Sequence, residues 1–242
     1  MNLQMATQAV LRNLRENGLR TTLRKATEVF VKPASEPFDD FDVKNGTDTS
    51  GFVPLWKLSI ASKNVRFCKG YRPTEQWELE AAVKTLDEDI TSFTFVDLGC
   101  GKGRAVLIAA RLGFRRAIGV EFAAELADIA RKNIQNMGLA NASIVHGDAT
   151  EFAFPEGDLV VFLFNPFGPE LMAKVAANLE RRRQGKLYVI YARPCFAHLF
   201  DASRAIKRLG TAAARVIPTI IWKLAPDQCQ APQISPSQFT ES

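Results

Sequence analysis

Histidine is nearly missing from this chain: His146 and His198 are the only two among 242 residues. A three-histidine metal site is therefore impossible, and no metal is expected. The four cysteines, Cys68, Cys100, Cys195 and Cys229, stand far apart without a Cys-x-x-Cys pair. That spacing excludes a zinc ribbon and argues against a disulfide framework. No uninterrupted apolar run approaches the roughly eighteen residues of a membrane span. The longest, Leu159 to Phe164, is bounded by Asp158 and Asn165, so no stable membrane insertion is expected. The first residues lack the compact apolar block of a secretory signal, which points to reduced thiols and a cytoplasmic location. A G-x-S-x-G elbow and a G-K-[ST] phosphate loop are also missing, which removes the usual hydrolase and P-loop readings.

What is present suits one α/β domain with a real core: 47% of residues are hydrophobic and 24% charged. The net charge of +5 is compatible with an anionic partner such as nucleic acid, but no basic stripe supports one. Arg111, Arg115 and Arg116, and Arg181 to Arg183, read as solvated helix charge, so nucleic acid is possible but not favoured. From Met1 to about Lys32, Leu11, Leu14, Leu19, Leu23, Ala26 and Phe30 recur at helical spacing, with Gly18 dividing the stretch. The basic residues on its other faces are interspersed with Glu16 and Glu28, which fits helices packed on their own domain. A partner or membrane surface for these helices stays open. Pro33 to about Pro54 is acidic and rich in turn formers, the composition of a surface connection or lid.

From Tyr71 the pattern alternates strand and helix. Phe93 to Leu98, Ala117 to Glu121, Ser143 to His146, Asp158 to Phe164 and Leu187 to Ala192 are short β-rich runs. Between them lie helical stripes: Leu79, Val83 and Leu86; Leu126, Ile129, Ala130, Ile134 and Met137; Leu171, Val175 and Leu179. Near-continuous apolar strands alternating with helices predict a doubly wound, mostly parallel sheet covered on both faces. Val216 to Leu224 is strand-like but holds Pro218, which suggests a bend or an edge strand. The division expected is a helical extension and lid or linker over 1–66, a ligand-binding domain over 67–224 and a flexible tail over 225–242.

The segment Phe95-Val96-Asp97-Leu98-Gly99-Cys100-Gly101-Lys102-Gly103-Arg104 is a strand ending in an acid, followed by alternating glycines before a helix. Such glycines let the chain turn sharply and let a nucleotide-like ligand approach the backbone. The dinucleotide fingerprint needs a glycine where Arg104 stands, so a nicotinamide cofactor loses its support. Cys100, inside the turn, reads as packing.

Val96 to Gly103 resembles motif I of the class I S-adenosylmethionine-dependent methyltransferases, and Gly119-Val120-Glu121-Phe122 is similar to their acidic second motif. His146-Gly147-Asp148-Ala149 and Asn165-Pro166-Phe167 resemble the motifs after their third and fourth strands. Tyr71-Arg72-Pro73-Thr74, with Asp48 to Gly51, is similar to a bacterial subgroup of unassigned substrate and, more distantly, to lysine methyltransferases of rotary-ATPase membrane subunits. The resemblance implies a seven-stranded, Rossmann-like sheet and S-adenosylmethionine as cofactor. It implies Glu121 at the ribose hydroxyls, Asp97 near the methionine ammonium, Gly99, Gly101 and Gly103 at the turn, and Asp148, Ala149 and Phe122 around the adenine. Tyr71 and Thr74 would close the methionine end, although Thr74 also reads as a helix N-cap. Asn165 and Phe167 would meet the methyl acceptor, Asn165 also touching the cofactor side. Phe167 replaces the second proline of N-P-P-Y, which argues against a nucleobase and for an amine nitrogen of a protein lysine or small molecule. A non-catalytic cofactor-binding scaffold and a nucleic-acid methyltransferase are the alternatives, and the oligomeric state is not indicated. In calorimetric titration the protein should bind S-adenosylmethionine saturably and NAD not at all; the reverse result would overturn the assignment.

Overall fold

The computed structural model describes residues 40–51, 53, 71–182, 184–214 and 217–224. The helical reading of 1–32 and the tail reading of 225–242 lie outside the described residues. In chain order the elements are α1 (Phe41–Asn45), α2 (Gln76–Lys84), β1 (Thr94–Leu98), α3 (Arg104–Leu112), β2 (Arg116–Glu121), α4 (Ala124–Asn136), β3 (Ala142–His146), β4 (Leu159–Phe164), α5 (Pro169–Glu180), β5 (Leu187–Ala192), α6 (Ala197–Asp201), β6 (Ile206–Ala212) and β7 (Thr219–Leu224). No described helix is long and apolar enough to cross a membrane.

The strands form one sheet in the order β3-β2-β1-β4-β5-β7-β6. The first five run parallel, and β7 lies antiparallel to both β5 and β6. Every residue of β1 and of β5 is buried, because helices cover both faces. The pleat sends alternate residues to opposite cores. Phe95, Phe162 and Ile190 join α2 and α3 on one face, while Val96, Val161 and Val189 join α5 and α6 on the other. Gly119 on β2 is small for a packing reason: a Cβ there would stand 2.6 Å from the Cys100 sulfur and 2.7 Å from Ile144. Cys100 is buried, as its packing role requires.

Three expectations need correction. Pro218 lies just before the first residue of β7, where no ladder hydrogen bond is needed, so the strand it precedes is paired on both sides and is not an edge. The edge is β6, whose pattern Ile-Lys-Arg-Leu-Gly-Thr-Ala lacks an apolar run because much of it faces solvent, as suits an edge. Thr74 does not cap α2; Glu75 holds the cap position in extended conformation, with no side-chain cap bond. The acidic stretch before Pro54 is no loose surface connection where it is described.

Residues 40–51 are fastened to α3 and α4 by buried polar groups. The Arg104 guanidinium donates from Nε to Thr49 Oγ1 at 2.6 Å and from Nη2 to Ser50 Oγ at 3.0 Å, faces Asp42 at 3.7 Å, and lies over the Phe41 ring. Asp42 accepts from Thr47 Oγ1, from Thr49 through both N and Oγ1, and from the Ser50 amide. Asn133 on α4 accepts from the Asp48 amide and donates to the carbonyls of Asp48 and Lys102. Burial raises the Asp42 pKa, but hydrogen bonds from Ser50, Thr49 and Thr47 outweigh it and hold the group down to about 2. A carboxylate whose folded pKa lies below its unfolded value stabilises the fold above that unfolded value, and the stabilisation is lost as pH falls through the folded pKa. Asp42→Ala should therefore cost about 2 kcal/mol at neutral pH, or roughly 4–8 °C in Tm for a domain of this size. The gap from wild type should close between about pH 4 and about pH 2 in thermal melts; a gap constant with pH would show that Asp42 acts only by packing.

Candidate functional site

A cleft opens at the carboxyl ends of β1, β2, β4 and β5, where the sheet order reverses between β1 and β4 and an α/β fold places its ligand. The turn after β1 needs its glycines. Gly99, Gly101 and Gly103 all have positive φ, at 81°, 55° and 87°. A Cβ on Gly101 would come within 1.9 Å of the Tyr71 ring, so this position admits no side chain while Tyr71 covers the turn. Gly103 serves a different contact: a Cβ there would stand 3.0 Å from Ala130 of α4. Tyr71 is held in place by its hydroxyl, which donates to the Thr49 carbonyl at 2.5 Å, and by a two-way backbone bridge to Val53.

Two buried carboxylates face this turn. Glu121 accepts from the Gly101 amide at 2.8 Å through one oxygen and from the Ala123 amide at 2.9 Å through the other, so each oxygen keeps a further lone pair. Burial raises its pKa, and those amide hydrogen bonds oppose the rise. Asp97 is only 4% exposed, and no described residue donates a hydrogen bond to its carboxylate. Burial, and then the negative charge of Glu121, push its pKa well up. A buried carboxyl without a donor beside a second carboxylate is a site that a cation relieves.

The opposite wall is built from two matching turns. β4 ends in Phe164 and continues Asn165-Pro166; β5 ends in Ala192 and continues Arg193-Pro194. Asn165 and Arg193 are both left-handed, at φ 48° and 50°. Non-glycine residues in that region are uncommon and tend to gather at functional sites. The Tyr191 hydroxyl donates to Asn165 Oδ1 at 3.2 Å, and Asn165 Nδ2 donates to Cys195 Sγ at 3.1 Å. Burial raises the pKa of Tyr191, which keeps its hydroxyl a donor. Asn165 does not cap α5; Gly168 precedes that helix and Pro169 begins it. The two walls touch, since a Cβ on Gly99 would lie 2.8 Å from the Pro166 Cβ.

Of the residues singled out in the sequence, Tyr71, Thr74, Asp97, Gly99, Gly101, Glu121, Phe122, Asn165 and Phe167 line this one cleft. Gly103, Asp148 and Ala149 are not among its lining residues. Asp148 Oδ1 accepts from the amide and hydroxyl of Thr150, closing a local turn, and Ala149 is buried in the core on the α5 face. Arg72, Phe164 and Arg193 also line the cleft and escaped the sequence reading. The signal for Arg193 was the repeat of a residue followed by proline one strand beyond Asn165-Pro166. No cluster of metal-ligating side chains exists among the described residues.

Residues 97–193 match the family described as the ANTKMT methyltransferase domain. The ribosomal protein L11 methyltransferase of Clostridium botulinum is 28% identical over 127 residues, covering 48% of this chain and 39% of that protein. The protein of the same name from Alkaliphilus oremlandii is 27% identical over 118 residues, covering 45% and 37%. The chain thus matches only about two fifths of the length of these relatives. Among solved structures, the putative methyltransferase yhhF from Escherichia coli superposes with a TM-score of 0.51 at 18% identity, covering 72% of this chain and 98% of that one. Its agreement is one of fold. Glu121→Ala frees two buried amides as well as removing an acceptor from the cleft. It should weaken S-adenosylhomocysteine by roughly 1.5–3 kcal/mol in calorimetry and also lower folding stability by about 1–3 kcal/mol. Unchanged affinity would place the ribose contact elsewhere.

Proposed function

We propose that this chain, which carries a class I S-adenosylmethionine-dependent methyltransferase domain, transfers a methyl group to an amine nitrogen of a protein lysine or of a small molecule. The observation that carries the cofactor side of the reading is Asp97, a buried carboxylate with no donor among the described residues, at the mouth of a glycine turn. It suits the ammonium of a methionine moiety, while the free lone pairs of Glu121 suit a pair of vicinal hydroxyls. Phe122 lines the same cleft and can cover an adenine face. The name of the curated relatives, which specifies a ribosomal protein, supports a protein acceptor and work in the cytoplasm.

When bound, S-adenosylmethionine supplies a sulfonium methyl open to in-line attack. On the protein side, Asn165 does the positioning. Its Oδ1 receives the Tyr191 hydroxyl and keeps a lone pair for an N–H of the acceptor, which aims the nitrogen lone pair. Phe167, 3% exposed, gives that end of the cleft a dry wall. The acceptor amine must be neutral to attack. With the cofactor bound, that lone pair would accept the methyl in exchange for the bond to sulfur, and the extra proton on nitrogen would pass to water. Asn165 cannot take that proton; its part is to orient the amine.

Incubation with methyl-labelled cofactor and fractionated cell extract should place label in protein or small amines and not in RNA. With the acceptor so identified, Asn165→Ala should lower kcat by about 10- to 100-fold with little change in cofactor affinity, and turnover should rise with pH until the amine is neutral. Full turnover by that variant, or label in a nucleobase or an oxygen ether, would overturn the acceptor assignment and leave the cofactor assignment standing.

A further inference from the structure

We propose that Arg193 determines acceptor specificity by recognising a carboxylate that the methyl acceptor carries near its amine; the inference rests on the amine-acceptor reading above. The parallel register pairs Phe164 with Ala192, so the residues that follow, Asn165 and Arg193, stand next to each other at the same edge of the cleft. Both are held left-handed ahead of a proline. The Arg193 guanidinium carbon lies 5.3 Å from the centroid of the Phe164 ring. This cation–π contact uses the ring face and none of the guanidinium N–H groups as hydrogen-bond donors, which leaves those groups for a ligand.

Among the described residues no hydrogen bond or ion pair reaches the Arg193 guanidinium, although Asp97 and Glu121 line the same cleft. The other arginines of the lining differ. Arg104 is taken up by Thr49, Ser50 and Asp42, and Arg72 already has an interaction of its own. One planar fork, with no second free cation among the described lining residues, matches a single carboxylate, which it can bind through two parallel N–H bonds. The cleft therefore sorts charge along its length, with carboxylates at the glycine turn and one unpaired guanidinium beside Asn165. An acceptor that presents an amine to Asn165 and a carboxylate to Arg193 satisfies both turns at once. The carboxylate can belong to an acidic residue flanking a lysine in a protein, or to the α-carboxylate of a free amino acid.

Two measurements on the full chain test this. In the first, methyl-labelled S-adenosylmethionine is supplied with lysine peptides flanked by Glu or by Gln, and with free lysine against cadaverine, which lacks the carboxylate. The carboxylate-bearing member of one pair should be preferred by about 10- to 100-fold in kcat/KM, and which pair responds distinguishes the two sources. Arg193→Gln should erase the preference and Arg193→Lys should keep part of it, while calorimetric affinity for S-adenosylhomocysteine stays within about twofold of wild type. The second does not depend on turnover. Sodium acetate should shift one arginine Nε–Hε resonance saturably in the NMR spectrum of the protein, sodium chloride should not, and Arg193→Gln should lose the response. Absence of the acetate response, a preference that survives Arg193→Gln, or a loss of S-adenosylhomocysteine affinity matching the loss of turnover would overturn the proposal. Failure to bind S-adenosylhomocysteine at all would instead overturn the methyltransferase reading, and the acetate titration would still report on Arg193.

Discussion

A buried arginine decides much of this structure. Arg104 is 3% exposed at the start of α3, and a guanidinium taken out of water must be met by acceptors or its desolvation goes uncompensated. It is met by Thr49, Ser50 and Asp42 from the segment preceding the sheet. Thr49, once fixed, offers its carbonyl to the Tyr71 hydroxyl, and Tyr71 then lies against Gly101. One buried cation thus ties the start of a helix to the wall of the cleft through two hydrogen bonds and a ring contact. The residue that takes the place of a dinucleotide-type third glycine is the anchor of a different device.

The cleft that results has its polar groups unevenly satisfied. Glu121 is held by two amides and is as much a part of the turn as the glycines are. Asp97, its neighbour in charge, has no donor among the described residues. Across the cleft, Asn165 is braced by Tyr191 and Cys195, while Arg193 meets an aromatic face and, among the described residues, no acceptor. Groups already tied down give the site its shape, and the groups left open mark where a ligand has something to supply.

The parallel half of the sheet was legible because burial on both faces leaves strands as plain apolar runs; Leu187 to Ala192 has the same bounds in sequence and in structure. The cleft was legible for a related reason. Its residues sit at strand ends, where a motif of acid, glycine or asparagine interrupts an apolar run. What stayed hidden was polar structure made over long separations. The acidic composition around Asp42 resembles a solvated turn, and nothing local reveals that Arg104 and Asn133 will reach it from α3 and α4. β6 was missed because a strand that largely faces solvent lacks the apolar run that betrays a buried one. Pro218 misled because one residue of displacement separates a proline inside a strand from a proline ahead of it.

The contact of Gly119 with Cys100 has a consequence for how this domain can vary. Gly119, within β2, and Cys100, in the turn after β1, fill one small volume, with Ile144 and Val106 closing it. Enlarging either uses space that the other already occupies, so substitutions at the two positions cannot add independently. A Cβ at Gly119 would meet Ile144 and Val106 as well as Cys100, so a smaller residue at position 100 does not by itself make room for a larger one at 119. The glycine of the second motif is thereby packed against the cysteine of the first, and the two motifs share a single unit of packing.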